Sequence, residues 1–148
     1  MNNFLKILIG LVLLCWAPRL HAQNHLVVQG GNMVVTGGQF VLQNADFHQN
    51  ATFSHTGGNL KFTGNSVSNL ITGSSLIAFY GLDISRTSGN ILLQQSSSIS
   101  SSLNLSNGLL IVGNNIVEIL PSGNILNGSA SSYVKTDGAG SLAMTLAG

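Results

Sequence analysis

The chain has 148 residues, of which 44% are hydrophobic and 6% charged, with five basic and four acidic side chains. Such a surface offers no basic patch to neutralise phosphates, which argues against nucleic acid. It holds no acidic run to chelate cations and no basic amphipathic helix for a membrane surface, so its polarity must come from amides and hydroxyls.

Residues 1–22 read as a secretory signal peptide. Lys6 supplies the positive start, and Ile7 to Trp16 form an apolar stretch of about ten residues, within the usual range. A bilayer span needs about 20 apolar residues, so a transmembrane reading fails on length. Pro18 and Arg19 break the helix, and Ala22 is the small residue before a cut that makes Gln23 the first mature residue. Cys15 invites a lipoprotein reading, but Leu14 stands before it where that processing wants a small side chain. With Cys15 removed, the mature chain has no cysteine and forms no disulfide. It keeps seven charges, three positive and four negative.

From Gln23 to Gly148 the sequence predicts one all-β domain. Apolar pairs two residues apart recur as Leu26/Val28, Phe40/Leu42, Leu60/Phe62, Ile77/Phe79, Leu82/Ile84, Ile91/Leu93, Leu103/Leu105 and Leu109/Ile111. Each pair places two side chains on one strand face. Between them lie Gly30-Gly31-Asn32, Gly37-Gly38, Gly57-Gly58-Asn59, Ser88-Gly89-Asn90, Ser106-Asn107-Gly108 and Pro121-Ser122-Gly123-Asn124, which favour corners. Strands of about three to five residues are expected between these corners. Phe40/Leu42, Leu60/Phe62, Leu82/Ile84, Leu103/Leu105 and Ile125 repeat every 20 to 22 residues. That period predicts a parallel β-helix, or β-solenoid, in which each coil buries its apolar face only against its neighbours. A β-sandwich is the alternative. About six coils at a strand spacing of ~4.8 Å would make a rod of about 30 Å. Asn and Ser at matched corners are expected to stack in hydrogen-bonded ladders. The run Ser96 to Ser102, broken only by Ile99, reads as a polar-faced strand with Ile99 as its inward anchor.

Residues 76 to 136 carry a family likeness. Phe79-Tyr80-Gly81-Leu82-Asp83-Ile84, Gly89-Asn90-Ile91-Leu92-Leu93, Ser101-Ser102-Leu103-Asn104-Leu105-Ser106-Asn107-Gly108-Leu109-Leu110 and Ser132-Tyr133-Val134-Lys135 follow in order. This grammar resembles large secreted, adhesin-like surface proteins of Bacteroidetes-type bacteria, built from short β-repeats. The resemblance implies export, often through a type IX system that reads a C-terminal sorting domain. The chain departs from that pattern by stopping at Gly148, just past Leu142/Met144/Leu146, without a sorting domain or a polar capping coil. Either an N-terminal fragment of a longer parent chain or a stack capped by a partner is expected, and the fragment is the preferred reading.

Candidate chemistry is sparse. Asp46 and His48 share a strand face and, with His55, form the one local cluster resembling a metal site. Solvent-facing polar residues in a turn region explain them more simply. Asp83 and Arg86 read as a surface ion pair. Asp46, Asp83, Glu118 and Asp137 are spaced too widely for a paired-carboxylate mechanism, since Asp83 and Glu118 miss the same corner of a 21-residue coil. No Gly-x-Ser-x-Gly elbow or phosphate loop is present. The expectation is a non-enzymatic cell-surface or extracellular segment with no cofactor, metal or catalytic residue. Its partners would be surface glycans or other cell-surface proteins. Phe40, Phe47, Phe53, Phe62 and Phe79 fall on inward phases, which leaves Tyr80 and Tyr133 as the candidate glycan-binding residues. A glycan-binding module, or part of a carbohydrate-active β-helix protein, is the alternative.

Overall fold

The computed structural model describes residues 24–146, and the signal peptide with its Ala22–Gln23 cut lies outside the described residues. Among the described residues thirteen strands follow one another. They begin with β1 (Asn24–Val28), β2 (Asn32–Gln43), β3 (Ala45–Gln49), β4 (Thr52–Gly64), β5 (Ser68–Gly73) and β6 (Ile77–Arg86). They continue with β7 (Asn90–Leu93), β8 (Ser97–Asn107), β9 (Leu110–Ile111), β10 (Ile116–Ile119), β11 (Asn124–Leu126), β12 (Val134–Lys135) and β13 (Ser141–Met144). The first sheet runs β1-β3-β5-β7-β9-β12, and the second runs β13-β10-β8-β6-β4-β2, with β11 also paired to β8. Successive strands thus alternate between sheets, except that β10 and β11 both join the second, and each lies against the strand one coil away. Every pairing of named strands is parallel, which is the signature of a β-solenoid of about six turns and excludes the β-sandwich. Among the described residues no helix is long and apolar enough to cross a membrane.

The repeat legible in the sequence is the column that holds the second sheet together. Phe40 aligns with Leu60, Leu60 with Leu82, Leu82 with Leu103 and Leu103 with Ile125, in steps of 20, 22, 21 and 22 residues. Because side chains alternate along a strand, the companion column Leu42, Phe62, Ile84 and Leu105 points the same way. Leu60, Phe62, Leu82, Ile84 and Leu103 are at most 1% exposed. Across the interior, Phe47 of the first sheet meets Phe53 and Phe79 of the second, with ring centroids 5.0 and 6.1 Å apart. Burial of each such side chain contributes about 1.5–3 kcal/mol. Phe40 and Phe53, only partly buried, pack at the margin of this core.

Strands β1, β3, β7, β10, β11 and β13 have the expected three to five residues, whereas β2, β4, β6 and β8 run to between 10 and 13. Strand β4 spans 13 residues, and Gly57-Gly58 bends it without ending it. Gly37-Gly38 does the same in β2, where the register slips between Thr36 and Gln39. Two coils beyond β4, β8 is paired by β10 along Ser97–Ile99 and by β11 along Ser102–Asn104, so one long strand faces two strands in the next coil. The glycines serve as corners because they let the backbone turn while the hydrogen-bond ladder continues. Ile99 is the inward anchor expected of its serine run, but Ser97 shares its face and is also buried, with a hydroxyl that finds no partner.

Asparagine stacking appears at two corners. Asn44, at a φ of 51°, accepts the backbone N–H groups of Asn65 and Ser66 on its Oδ1 at 2.8 and 2.9 Å. Asn127, at a φ of 58°, donates its amide to Asn104 Oδ1 at 2.7 Å. Both links cross one coil without charge, and the first also satisfies two backbone amides of the turn.

Gly89 shows how tightly the corners pack. It sits at a φ of +71°, and a Cβ there would run into the carbonyl oxygens of Val67 and Ser66 in the coil below. Gly30 has a similar φ of +67° with nothing within 4 Å of an added Cβ. Gly30→Ala is therefore expected to cost only backbone strain, about 1 kcal/mol. Gly89→Ala adds a clash with backbone that cannot rotate away, and should cost roughly 2–5 kcal/mol. Urea unfolding of the two variants checks this, and equal midpoints would refute the close approach.

Candidate functional site

The parallel register brings three metal-ligating side chains together on the first sheet. His25 of β1 aligns with Asp46 of β3, and Val27 aligns with His48. Asp46 and His48 lie two residues apart and project from the same side of β3, while Phe47 between them is fully buried in the core. His25 Nδ1 lies 3.2 Å from Asp46 Oδ2 and 3.0 Å from His48 Nε2, and His48 Nε2 lies 3.9 Å from the same carboxylate oxygen. The Asp46 side chain is 2% exposed, against 40% for His25 and 25% for His48, so the cluster opens to solvent on its imidazole side.

A second layer of contacts fixes this arrangement. The other Asp46 oxygen, Oδ1, accepts the Asn69 side-chain amide and the Leu70 backbone N–H, each at 2.9 Å. That leaves Oδ2 facing the imidazoles. His48 Nδ1 lies 2.6 Å from Thr72 Oγ1, one coil further along. Asn69 Oδ1 in turn accepts Arg86 Nη1, and Arg86 also donates to Thr63 O, Ser66 O and Ser66 Oγ at 2.9 Å. Arg86 is 1% exposed, and its nearness to Asp46 partly offsets the downward push of burial on its guanidinium pKa. A buried polar chain thus runs from Arg86 through Asn69 to the Asp46 carboxylate.

Several expected placements are corrected by this geometry. His55 does not join Asp46 and His48. It lies on β4 of the second sheet, where it is 7% exposed and packs against Phe53, Phe79 and Tyr80. His25 takes its place in the cluster. Asp83 and Arg86 form no surface pair, because Arg86 follows Ile84 on the inward phase and Asp83 pairs instead with Lys61 at 3.4 Å. Asp83 aligns with Asn104 and Glu118 with Ser98, so the two carboxylates belong to different columns. Glu118 Oε1 accepts the Thr145 hydroxyl at 2.7 Å, and Lys135 pairs with Asp137 at 3.4 Å.

Tyr80 and Tyr133 are both exposed, at 38% and 41%. Tyr80 lies at the bend of β6, in the second sheet, and Tyr133 leads into β12, in the first. They belong to separate surfaces and build no common platform.

His55 is a pH-sensitive contact. Its Nδ1 accepts the Tyr80 backbone N–H at 3.1 Å, so the neutral ring carries its proton on Nε2, which is buried without a partner. Burial lowers its pKa, opposed in part by the backbone of Gly57 and Gly58. The unfolded imidazole protonates near ~6.5, whereas the folded one resists until lower pH. Below ~6.5 the unfolded state binds more protons, so stability falls as pH drops through that value and levels off below the folded pKa. His55→Asn keeps an acceptor near the Nδ1 position without the titration. Its melting temperature should lose less than the parent's between pH 7.5 and pH 5, and parallel losses would refute the assignment.

Comparisons with protein-family models, curated proteins and solved structures give no match.

Proposed function

We propose that this chain is the coil-forming part of an exported, non-enzymatic surface protein that acts as a spacer or adhesive stalk. The observation that carries the reading is the parallel stack itself. About six coils add along one axis, the inner ones burying the same apolar columns and presenting hydroxyls, amides and scattered aliphatic side chains outside. At ~4.8 Å per coil this architecture converts sequence into reach. Its partners in this reading are surface glycans or other cell-surface proteins, together with further domains of a longer parent chain. Secretion follows from residues 1–22, with Gln23 as the mature start.

Beads coated with the purified protein test the proposal on a glycan array and on cell surfaces. Saturable adhesion without polysaccharide turnover is the expected result. Loss of glycan capture in Tyr80→Ala or Tyr133→Ala would place the contact on that exposed ring. Polysaccharide cleavage abolished by Asp83→Asn, Arg86→Met or Glu118→Gln, in variants that remain folded, would overturn the non-enzymatic reading in favour of a carbohydrate-active β-helix.

A further inference from the structure

We infer that His25, Asp46 and His48 form a binding site for a divalent transition-metal ion of the zinc class, which clips the first coil of the solenoid to the second. The inference is independent of the adhesive role proposed above. It rests first on the triangle of ligand atoms. With sides of 3.0, 3.2 and 3.9 Å, a point about 2.0 Å from all three atoms exists, and zinc bonds nitrogen and carboxylate oxygen at ~2.0–2.2 Å. An ion at 2.1 Å would sit roughly 0.65 Å off the ligand plane, close to where the centre of a regular tetrahedron lies above three of its ligands. No rearrangement of the backbone is required.

The surrounding contacts are those a metal site needs. A ligating imidazole is normally held through its other ring nitrogen, and His48 Nδ1 has Thr72 Oγ1 at 2.6 Å. With the proton on Nδ1, donated to that hydroxyl, His48 Nε2 presents a lone pair to the cluster. The Asp46 carboxylate is likewise held through one oxygen, by Asn69 and Leu70, and offers the other. Two imidazoles and one carboxylate form a borderline donor set, which suits zinc and its first-row neighbours better than calcium or magnesium. Three protein ligands leave a fourth position, and the exposure of His25 and His48 directs it towards solvent.

The ion would add a coordinate link between two strands that are otherwise held at this end of the stack by backbone pairing and by Leu26 and Val28 packed on the core. His25 belongs to β1, which has a single strand neighbour, while Asp46 and His48 belong to β3. Binding should therefore raise the stability of the first coil.

Titration of the purified, tag-free protein with zinc chloride tests this by calorimetry, alongside thermal melting with and without the ion. One ion per chain and a zinc-dependent rise in melting temperature are expected. His25→Ala removes a largely exposed ligand and should keep the fold, as should His48→Ala, checked by circular dichroism. Each should weaken zinc binding at least 100-fold, and Thr72→Val about 10- to 100-fold, by releasing the His48 ring. Calcium and magnesium should not compete. Zinc uptake by the parent that is no tighter than that of folded His25→Ala and His48→Ala would overturn the assignment, as would equal binding of calcium.

Discussion

Leu103→Asp is expected to yield a chain that does not fold. Leu103 is fully buried in the second sheet, between Leu82 of the preceding coil and Ile125 of the next. Removing a buried leucine costs about 2–5 kcal/mol through lost transfer energy and the cavity left behind. Adding a carboxylate costs several kcal/mol more, since Leu82 and Ile125, the aligned neighbours in that column, are apolar. The total rivals the whole stability of a typical domain, about 5–15 kcal/mol. Leu103→Ala, which carries only the first penalty, should remain folded with a lowered melting temperature. Circular dichroism separates the three proteins, and near-equal melting of Leu103→Asp and the parent would refute the placement of this column at the core.

Arg86→Met should destabilise the protein by about 3–5 kcal/mol, the usual cost of removing one partner from a buried charged network. The methionine fills much of the space but donates nothing. Thr63 O, Ser66 O and Asn69 Oδ1 would lose their charged donor, and the Asp46 carboxylate would lose the compensating charge behind Asn69. Arg86→Lys keeps the charge but not the planar fork that reaches several acceptors at once, so it should recover only part of the loss. Denaturant unfolding measures both, and an Arg86→Met value within about 1 kcal/mol of the parent would show that the network contributes little.

Both residues bear on how far the sequence alone reaches. The column from Phe40 to Ile125 was legible because each member is large, apolar and separated from the next by nearly the same number of residues. A period of that kind gives the parallel stacking directly, since only a coil returns equivalent residues to the same face at fixed intervals. The bends inside β2 and β4 were harder to read. A Gly-Gly pair announces a corner but not whether the ladder breaks there, and the neighbouring coil decides that.

The candidate site was half legible. Alternation alone puts Asp46 and His48 on one face. His55, near in sequence, offers itself as the third member, although the repeat points elsewhere. A step of 21 residues back from Asp46 lands on His25, and the register confirms that alignment. Arg86 was missed for a related reason. Its charge suggested surface, but it stands two residues after Ile84 and so inherits the inward direction. Phase outranks residue type here, because Ser66, Asn69 and Thr63 supply acceptors that make an inward guanidinium tolerable.

The parallel stack also sets how the molecule would answer tension. Each coil of about 20 to 22 residues touches only the coils beside it, so load along the axis peels the outermost turn before the next one feels it. A folded turn occupies ~4.8 Å of that axis, whereas the same residues drawn straight reach about 70 Å. Every turn is therefore a stored length more than ten times its folded rise. Under pull, such a stack would lengthen turn by turn and shed force at each step, while the turns still stacked keep their shape.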